Sequence, residues 1–593
     1  MSTTESTAID RALALPSLSA AFVAKALDAP DAPALRAFGT DEVLTWRAWH
    51  DRGVAVAGGL ESLGIERGDR VGILLGTRVE FNIVDIGALL LGAIPFSLYV
   101  TSAVEQLREI VDNAAPRVLF TDASLVEKAR EVAAGSTVER IVVVEATAAQ
   151  DGELSLADLE ARSPADFDVS AAVAATTRED IGTLVYTSGT TGPPKGVQFR
   201  HGGMMDCLDS IRQRFDTGAE DRAIAYLPMA HIAERIFGHY AAFVYGYEVT
   251  SLADLTKLGP ALHAVRPTRF FGVPRIYEKL IAGIHRFVSE SPDREALEAA
   301  WQRRLVVVRE GGSWMAADDR DAADLETLKP LAALTGLEQA HFLAVAGAPS
   351  SLGMLEEITA LGLPINEFYG SSEAIIVSCS PPDDIRLGTA GKPLAGAVFE
   401  LGEDGEVLIT GPTITPGYFR DPERTAEAFD ADGRFLTGDV GQLDDDGYLS
   451  IVDRKKALII NSGGKNMSPA NIEQAIKGGQ PLLSQVFAIG DRRPYNVALV
   501  VLDRDGLAVF ARSAGLDPDE DFAVLSQRPE VRDAVQAAVD AGNEKLARVE
   551  QIKRFAILDH DWLPGGPQLT PTNKVKRREV AEQYAATASD LYA

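Results

Sequence analysis

Short runs of Val, Ile and Leu, separated by helical stretches, recur through the first 180 positions, as at Arg70–Leu75, Ala115–Thr121 and Arg140–Glu145. Apolar runs of this length predict strands of a parallel or mixed sheet buried under helices. The same rhythm continues to about residue 380, at Gly182–Tyr186, Arg269–Val273, Phe342–Val345 and Leu363–Phe368. Between Gly388 and Val452 it changes to short alternating segments broken by Glu403-Asp404-Gly405, Asp432-Gly433 and Asp446-Gly447. Such punctuation predicts a small antiparallel β unit. From Lys456 the chain reads as a separate piece, with apolar strands at Gln485–Ile489 and Val497–Leu502 and amphipathic helices across Pro529–Arg548. The charged segment His285–Gln339 has a helical pattern and is expected to be a surface insertion.

The pattern therefore predicts an α/β protein. A large N-terminal domain covers residues 1–452, with α/β subdomains over about 1–180 and 181–387 and a β unit over about 388–452. A smaller α+β C-terminal domain follows over 453–593, with the boundary at 453–456. The most apolar stretch, Phe81–Val100, contains Asn82, Asp85 and Pro95, so it predicts a buried helix and a strand rather than a membrane span.

Composition agrees with a soluble globular chain: 46% of residues are hydrophobic and 24% charged, with 52 Gly and 30 Pro. The formal net charge of −29 disfavours nucleic acid and anionic lipid as general partners, while leaving room for a local basic patch that serves an anionic substrate. Two cysteines, Cys207 and Cys379, can form neither a disulfide framework nor a Cys-rich zinc site. The N-terminus has no basic leader followed by an apolar run, so a cytoplasmic location is expected.

The densest chemistry lies where the strand ending at Thr187 runs into Ser188, Gly189, Thr190, Thr191, Gly192 and, after two prolines, Lys195 and Gly196. Glycines let backbone N–H groups approach an anion, the hydroxyls add donors and Lys195 adds charge, so a polyphosphate is the natural guest. The Gly-Lys-Ser/Thr ending of the Walker loop is absent, and with it the P-loop mechanism.

This loop resembles the phosphate loop of the adenylate-forming superfamily, which includes acyl-CoA synthetases, luciferases and peptide-synthetase adenylation domains. Further motifs follow in the family's order: Leu227–Arg235, Gly347-Ala348-Pro349, Glu367–Glu373, Thr437-Gly438-Asp439, Asp453–Lys456 and Leu569–Lys574. In detail the Leu-Pro-Met-Ala-His-Ile-Ala-Glu-Arg run at 227–235, Gly463-Gly464-Lys465-Asn466 and the Leu569–Arg577 segment are most similar to long-chain fatty acid CoA ligases. The resemblance implies a two-step reaction. A carboxylate and Mg-ATP give acyl-adenylate and pyrophosphate, and the thiol of coenzyme A then displaces AMP.

It also implies roles for residues. Lys574 would bridge the incoming carboxylate and the α-phosphate, where positive charge stabilises a crowded anionic transition state. Glu373, with Thr187, would hold magnesium, a hard cation suited to oxygen ligands. Tyr369 and Gly370 would form the adenine site, with Gly347, Ala348 and Pro349 as its other wall and Ser372 near the phosphates. Asp439 would accept both ribose hydroxyls, aided by Arg454. Asp453 falls at the family's hinge, so the small lobe is expected to rotate, presenting Lys574 first and the CoA-side segment Gly463, Gly464 and Lys465 second. His231 takes a gating or substrate-adjacent role beside the acyl pocket.

Three positions depart from the wider family: Asn573 stands where glycine is usual, Ser372 where threonine is usual, and Ala457 where many long-chain ligases have an acid. His231 and Glu234 lack the further ligand that zinc needs, and Gln442, Asp444, Asp446 and Gly447 read as a hairpin turn rather than a calcium loop. Residues 231–245 and Phe270–Arg275 combine aromatic and small side chains, as either an acyl tunnel or ordinary core would.

The expected substrate is a medium-to-long fatty acid or a comparably apolar acid, with ATP, Mg2+ and coenzyme A. Such a substrate makes peripheral membrane contact conceivable, although the acidic charge gives it no support. Two alternatives remain at this level: transfer of the acyl group to a carrier protein, and a non-catalytic homologue that binds nucleotide. Retained Lys574, Glu373 and Asp439 argue against the second.

Overall fold

The computed structural model describes residues 3–145, 150, 152–187, 194–461, 465–478, 480–563, 565–570 and 574–593. Its largest sheet has seven strands in the order Leu154–Ser155, Arg140–Val143, Val118–Thr121, Arg70–Leu74, Ile94–Ser97, Ile181–Thr187 and Lys195–Arg200. All neighbours run parallel except the last two, which form an antiparallel hairpin. A second sheet places Arg269–Gly272, Phe342–Val345 and Ile365–Tyr369 side by side in parallel, then adds two short antiparallel strands. A third joins Arg222–Ala225 and Glu248–Ser251 to Pro33–Ala37 and Val43–Thr45.

The sheets do not divide at residue 180. The hairpin at 181–200 completes the first sheet, while Pro33–Thr45 pairs with strands beyond residue 220. Periodicity identifies strands, but crossovers choose their neighbours, and those pairings are non-local.

The β unit is a four-stranded antiparallel sheet of Val398–Leu401, Glu406–Thr410, Phe435–Leu443 and Leu449–Arg454. Beyond it come a two-stranded hairpin, Ile459–Ile460 with Asn466–Met467, and a three-stranded sheet of Leu483–Ile489, Asn496–Leu502 and Ile552–Ile557. The latter has its own apolar core, including Ile472, Val500, Val535 and Phe555. The architecture is thus α/β, with a large N-terminal part and a smaller C-terminal one.

The segment 285–339 is more than a surface insertion. Its helices, Arg294–Arg309 and Asp319–Leu334, bury Trp301, Leu305, Leu328 and Leu331 in the core over the second sheet. Arg304 is fully buried against Asp321 (2.5 Å), so a charge pattern that reads as solvated on sequence is internally paired.

Phe81–Val100 forms the helix Val79–Leu91 and the strand Ile94–Ser97, both buried. Among the described residues no helix is long and apolar enough to cross a membrane. The polar residues inside this helix have a structural use. Asp85 pairs with Arg235, and its Oδ2 accepts from His239 Nε2 at 3.0 Å, while Asn82 Nδ2 donates to His239 Nδ1 at 2.8 Å. Burial disfavours the charged form of Asp85, but Arg235 and His239 outweigh it and hold the carboxyl below its ordinary value. The network pins the helix to the segment that follows His231. Asp85→Ala strands a buried guanidinium, so it should lower unfolding free energy by about 3–5 kcal/mol. Urea denaturation checks this, and a loss within the range of a surface substitution contradicts it.

Candidate functional site

Parallel strands end where ligands bind in open α/β folds, because loops leave their carboxyl edges together. Thr187, the Gly347–Pro349 turn and Tyr369 all lie at such ends. Thr187 pairs directly with Lys195 across the hairpin, so the two flank the glycine-rich loop. Ser188, Gly189, Thr190, Thr191 and Gly192 lie outside the described residues.

After Val345 the chain turns through Gly347, whose φ of +89° is a left-handed conformation that suits glycine. The Pro349 carbonyl accepts from Gln474 Nε2 of the C-terminal part at 3.2 Å. On the neighbouring strand end, Gly370 packs so closely on the Ile375 carbonyl that a Cβ would lie 1.8 Å from its oxygen. Ile375 itself has φ of +58°, a strained value for a β-branched residue, directly beside Glu373.

The β unit supplies the next wall. Asp439 and Arg454 face each other across adjacent strands, and Arg454 Nε meets Asp439 Oδ1 at 2.7 Å. The Tyr369 hydroxyl donates to Asp439 Oδ2 at 2.7 Å. Burial lifts the Asp439 carboxyl from its ordinary value, against the pull of Arg454, Tyr369 and Lys574. Burial likewise raises the Tyr369 phenol, helped by Asp439, so this hydroxyl remains a donor.

Lys574 arrives from the C-terminal part on a turn closed by Thr570, which donates its N–H to the Lys574 carbonyl at 2.8 Å and accepts the Lys574 N–H on Oγ1 at 3.0 Å. Its ammonium lies within electrostatic reach of Asp439, Glu373, Arg454 and His231. Surrounding protein lowers its pKa, Arg454 adds to that, and Asp439 and Glu373 oppose it. The residue nonetheless is exposed to solvent.

Glu373 hangs from a loop whose carbonyl accepts the Thr415 N–H at 2.7 Å, and its Oε1 accepts the Tyr418 hydroxyl at 2.9 Å. Lys195 Nζ sits over the Tyr418 ring, 4.7 Å from its centre. Ser372 lies next to Glu373, partly exposed. Tyr418 carries no motif in the sequence reading, because an aromatic after glycine in a β unit looks like core; the contact becomes visible only once the strands pair.

His231 has a local role. It caps the helical turn Ile232–Arg235, accepting the Ala233 N–H on Nδ1 at 3.2 Å. Burial, with Lys574 second, lowers its pKa to about 4, so the ring is neutral at physiological pH and its Nε2 carries the proton. Glu234 Oε1 accepts the Tyr226 N–H at 3.1 Å, and burial raises its pKa to about 8. The 231–245 segment continues through a π-helical turn, Ile236–Tyr240, a feature frequent at functional sites. Phe237 stacks on Phe271 with ring centres 4.9 Å apart and meets Phe342 and Phe368. A small cavity borders Ile224, Glu234, Phe237, Gly238 and Phe270. Aromatic packing thus fills the space between residues 231–245 and Phe270–Arg275, apart from this small cavity.

Asp453 is buried and caps the helix Pro469–Lys477: Oδ2 accepts from Ser468 Oγ at 2.6 Å and from the Ala470 N–H at 3.0 Å. Its side chain therefore ties the last strand of the β unit to the first helix beyond it. Gly463 and Gly464 lie outside the described residues. Lys465 is exposed in the hairpin, its N–H donating to Asn461 Oδ1 at 3.0 Å, and among the described residues it meets none of the Lys574 cluster. The Asp444–Gly447 stretch is a hairpin turn braced by Arg386, which reaches Asp444 at 3.0 Å and Asp446 at 2.8 Å.

A second set of contacts holds the C-terminal part in place. From the helix Pro274–Glu290, Arg275 reaches Asp503 at 2.8 Å and Ser484 at 3.1 Å, and Glu278 pairs with Lys477 at 3.0 Å.

Comparison with known proteins agrees with this geometry. The model of the AMP-binding enzyme family matches residues 22–419, and that of the AMP-binding enzyme C-terminal domain matches 456–593. The chain is 42% identical over 452 residues to a putative fatty-acid–CoA ligase, fadD11, of Mycobacterium tuberculosis, covering 74% of this chain and 79% of that one. It is 32% identical to the long-chain-fatty-acid–CoA ligase FadD15 of Mycobacterium bovis over 91% of this chain and 90% of its relative. The adenylation domain of a carboxylate reductase from Mycobacterium chelonae superposes with a TM-score of 0.76 at 22% identity, over 99% of this chain and 93% of that domain. With family models matched over both the N-terminal and the C-terminal part, the chain belongs to the AMP-binding enzyme family.

Proposed function

We propose that this protein is an ATP-dependent fatty acyl-CoA ligase that makes an acyl-adenylate and then the CoA thioester, releasing pyrophosphate and AMP. Relatives named as fatty-acid–CoA ligases across most of the chain support the substrate class. The observation that carries the mechanism is Lys574, brought from the C-terminal part to the Asp439, Glu373 and Arg454 cluster of the N-terminal part.

In the first step a carboxylate oxygen attacks the α-phosphorus of ATP and pyrophosphate leaves. Both reactants are anions, so cations must be in place before they meet. Lys574 bridges the carboxylate and the α-phosphate, and Lys195 serves the departing phosphates. Asp439 offers the ribose diol two acceptor oxygens, and Arg454 opposes the burial that lifts its pKa. Tyr369 stacks on the adenine, and Gly370 lets the base approach the backbone. Glu373 is a hard oxygen donor beside Lys195, fitting magnesium, which when bound neutralises phosphate charge. Thr187 lies on the same edge. Neutral His231 faces Lys574 without adding charge.

In the second step the CoA thiol attacks the acyl carbonyl carbon and AMP leaves. We assign Asp453 as the hinge about which the C-terminal part turns, withdrawing Lys574 and bringing in Gly463, Gly464 and Lys465. The Arg275–Asp503 and Glu278–Lys477 pairs then act as a latch on the first orientation.

Lys574→Ala should abolish pyrophosphate release, by at least about 100-fold, while sparing thioester formation from supplied acyl-adenylate. Equal loss in both steps contradicts the placement. Because the Lys574 pKa is lowered, its charge is lost, as pH rises, earlier than for an ordinary lysine at about 10.4. Pyrophosphate release should therefore fall on the alkaline side with an inflection below that value, absent from the thioester step measured alone. Arg275→Ala with Glu278→Ala should slow the first step several-fold relative to the second, as stopped-flow measurement of each half-reaction checks; parallel effects contradict the latch.

A further inference from the structure

We propose that Tyr418 is a positioning residue that keeps the cation and the carboxylate of the phosphate-metal site apart, so that both stay available to Mg-ATP. The inference rests on the adenylating reading of the site. Its core is one side chain used at both ends. The hydroxyl donates to Glu373 Oε1 at 2.9 Å, and the ring face receives Lys195 Nζ 4.7 Å from its centre. Among the described residues neither Lys195 nor Glu373 has an ion-pair partner. Opposite charges that share one aromatic side chain in a half-buried site would join if that side chain were absent, and a joined pair has neither a free ammonium for phosphate nor a free carboxylate for metal.

The backbone fixes Tyr418 between its two clients. Thr415 N–H donates to the Glu373 carbonyl at 2.7 Å, and Thr415 Oγ1 donates to the Gln198 carbonyl at 2.7 Å. Phe419 N–H donates to the Gly196 carbonyl at 2.7 Å, and Gln198 N–H to the Gly417 carbonyl at 3.2 Å. Residues 415–419 are therefore a strap laced to the Lys195 strand on one side and to Glu373 on the other. Gly417, at φ +137°, has no room for a side chain, since a Cβ would lie 2.4 Å from Thr425 Cγ2. Tyr418 is 6% exposed, and burial followed by Glu373 raises its phenol, so it stays a donor. With Oε1 held by this hydroxyl, the other oxygen of Glu373 would be the one left to hold magnesium.

Calorimetric titration of ATP with and without Mg2+, with no acid present, tests this independently of the fatty acid assignment. Tyr418→Phe keeps the ring and its packing and removes only the hydroxyl. It should weaken Mg-ATP binding roughly tenfold, the scale of one charge-assisted hydrogen bond, and leave metal-free ATP binding within about twofold. In a Glu373→Gln background the same change should add little. Tyr418→Leu, checked for an intact thermal transition, should weaken both titrations because Lys195 is then free to collapse onto Glu373. Wild-type Mg-ATP affinity in Tyr418→Phe, or full additivity with Glu373→Gln, overturns the proposal.

Discussion

Joining a carboxylate to a triphosphate forces anions together, and the rest of this structure answers that constraint. The cation proposed to bridge the two reactants, Lys574, does not belong to the part that carries Asp439, Glu373 and Arg454. It is carried in from the C-terminal part to within reach of Asp439, Glu373 and Arg454.

The surrounding architecture spends its buried polar groups on keeping this arrangement fixed. Asp453 stitches the β unit to the first helix of the C-terminal part, and Arg275 and Glu278 hold the far side of the interface. The Asp85, Arg235 and His239 network anchors the segment that starts at His231. The interface pairs keep partial solvent contact, whereas the Asp85 network is sealed in the core and is costly to open. The aromatic closure of Phe237 on Phe271 lies between these extremes, at a π-helical turn and beside the proposed acyl region.

Much of this was legible in the sequence. Strand runs such as Arg70–Leu74 and Phe342–Val345 fell where apolar patterning put them, because burial on both faces leaves a continuous signature. The motif residues Tyr369, Asp439, Arg454, Glu373 and Lys574 converge in space as their resemblance implied. Pairing was not legible, since the Pro33–Thr45 strands join partners far along the chain. The helices of 285–339 misled because Arg304 is buried with a partner, which composition cannot reveal. Tyr418 and Arg275 were invisible for the same reason: each matters only through residues distant in sequence.

The central claim is that these residues make an acyl-CoA ligase. Mass spectrometry of the products formed from ATP, Mg2+, coenzyme A and a mixed panel of fatty, aromatic and steroid-like acids tests it most directly. The account predicts a fatty acyl-CoA with AMP. Acyl-adenylate without thioester, or no product from any fatty acid in the panel, would contradict it.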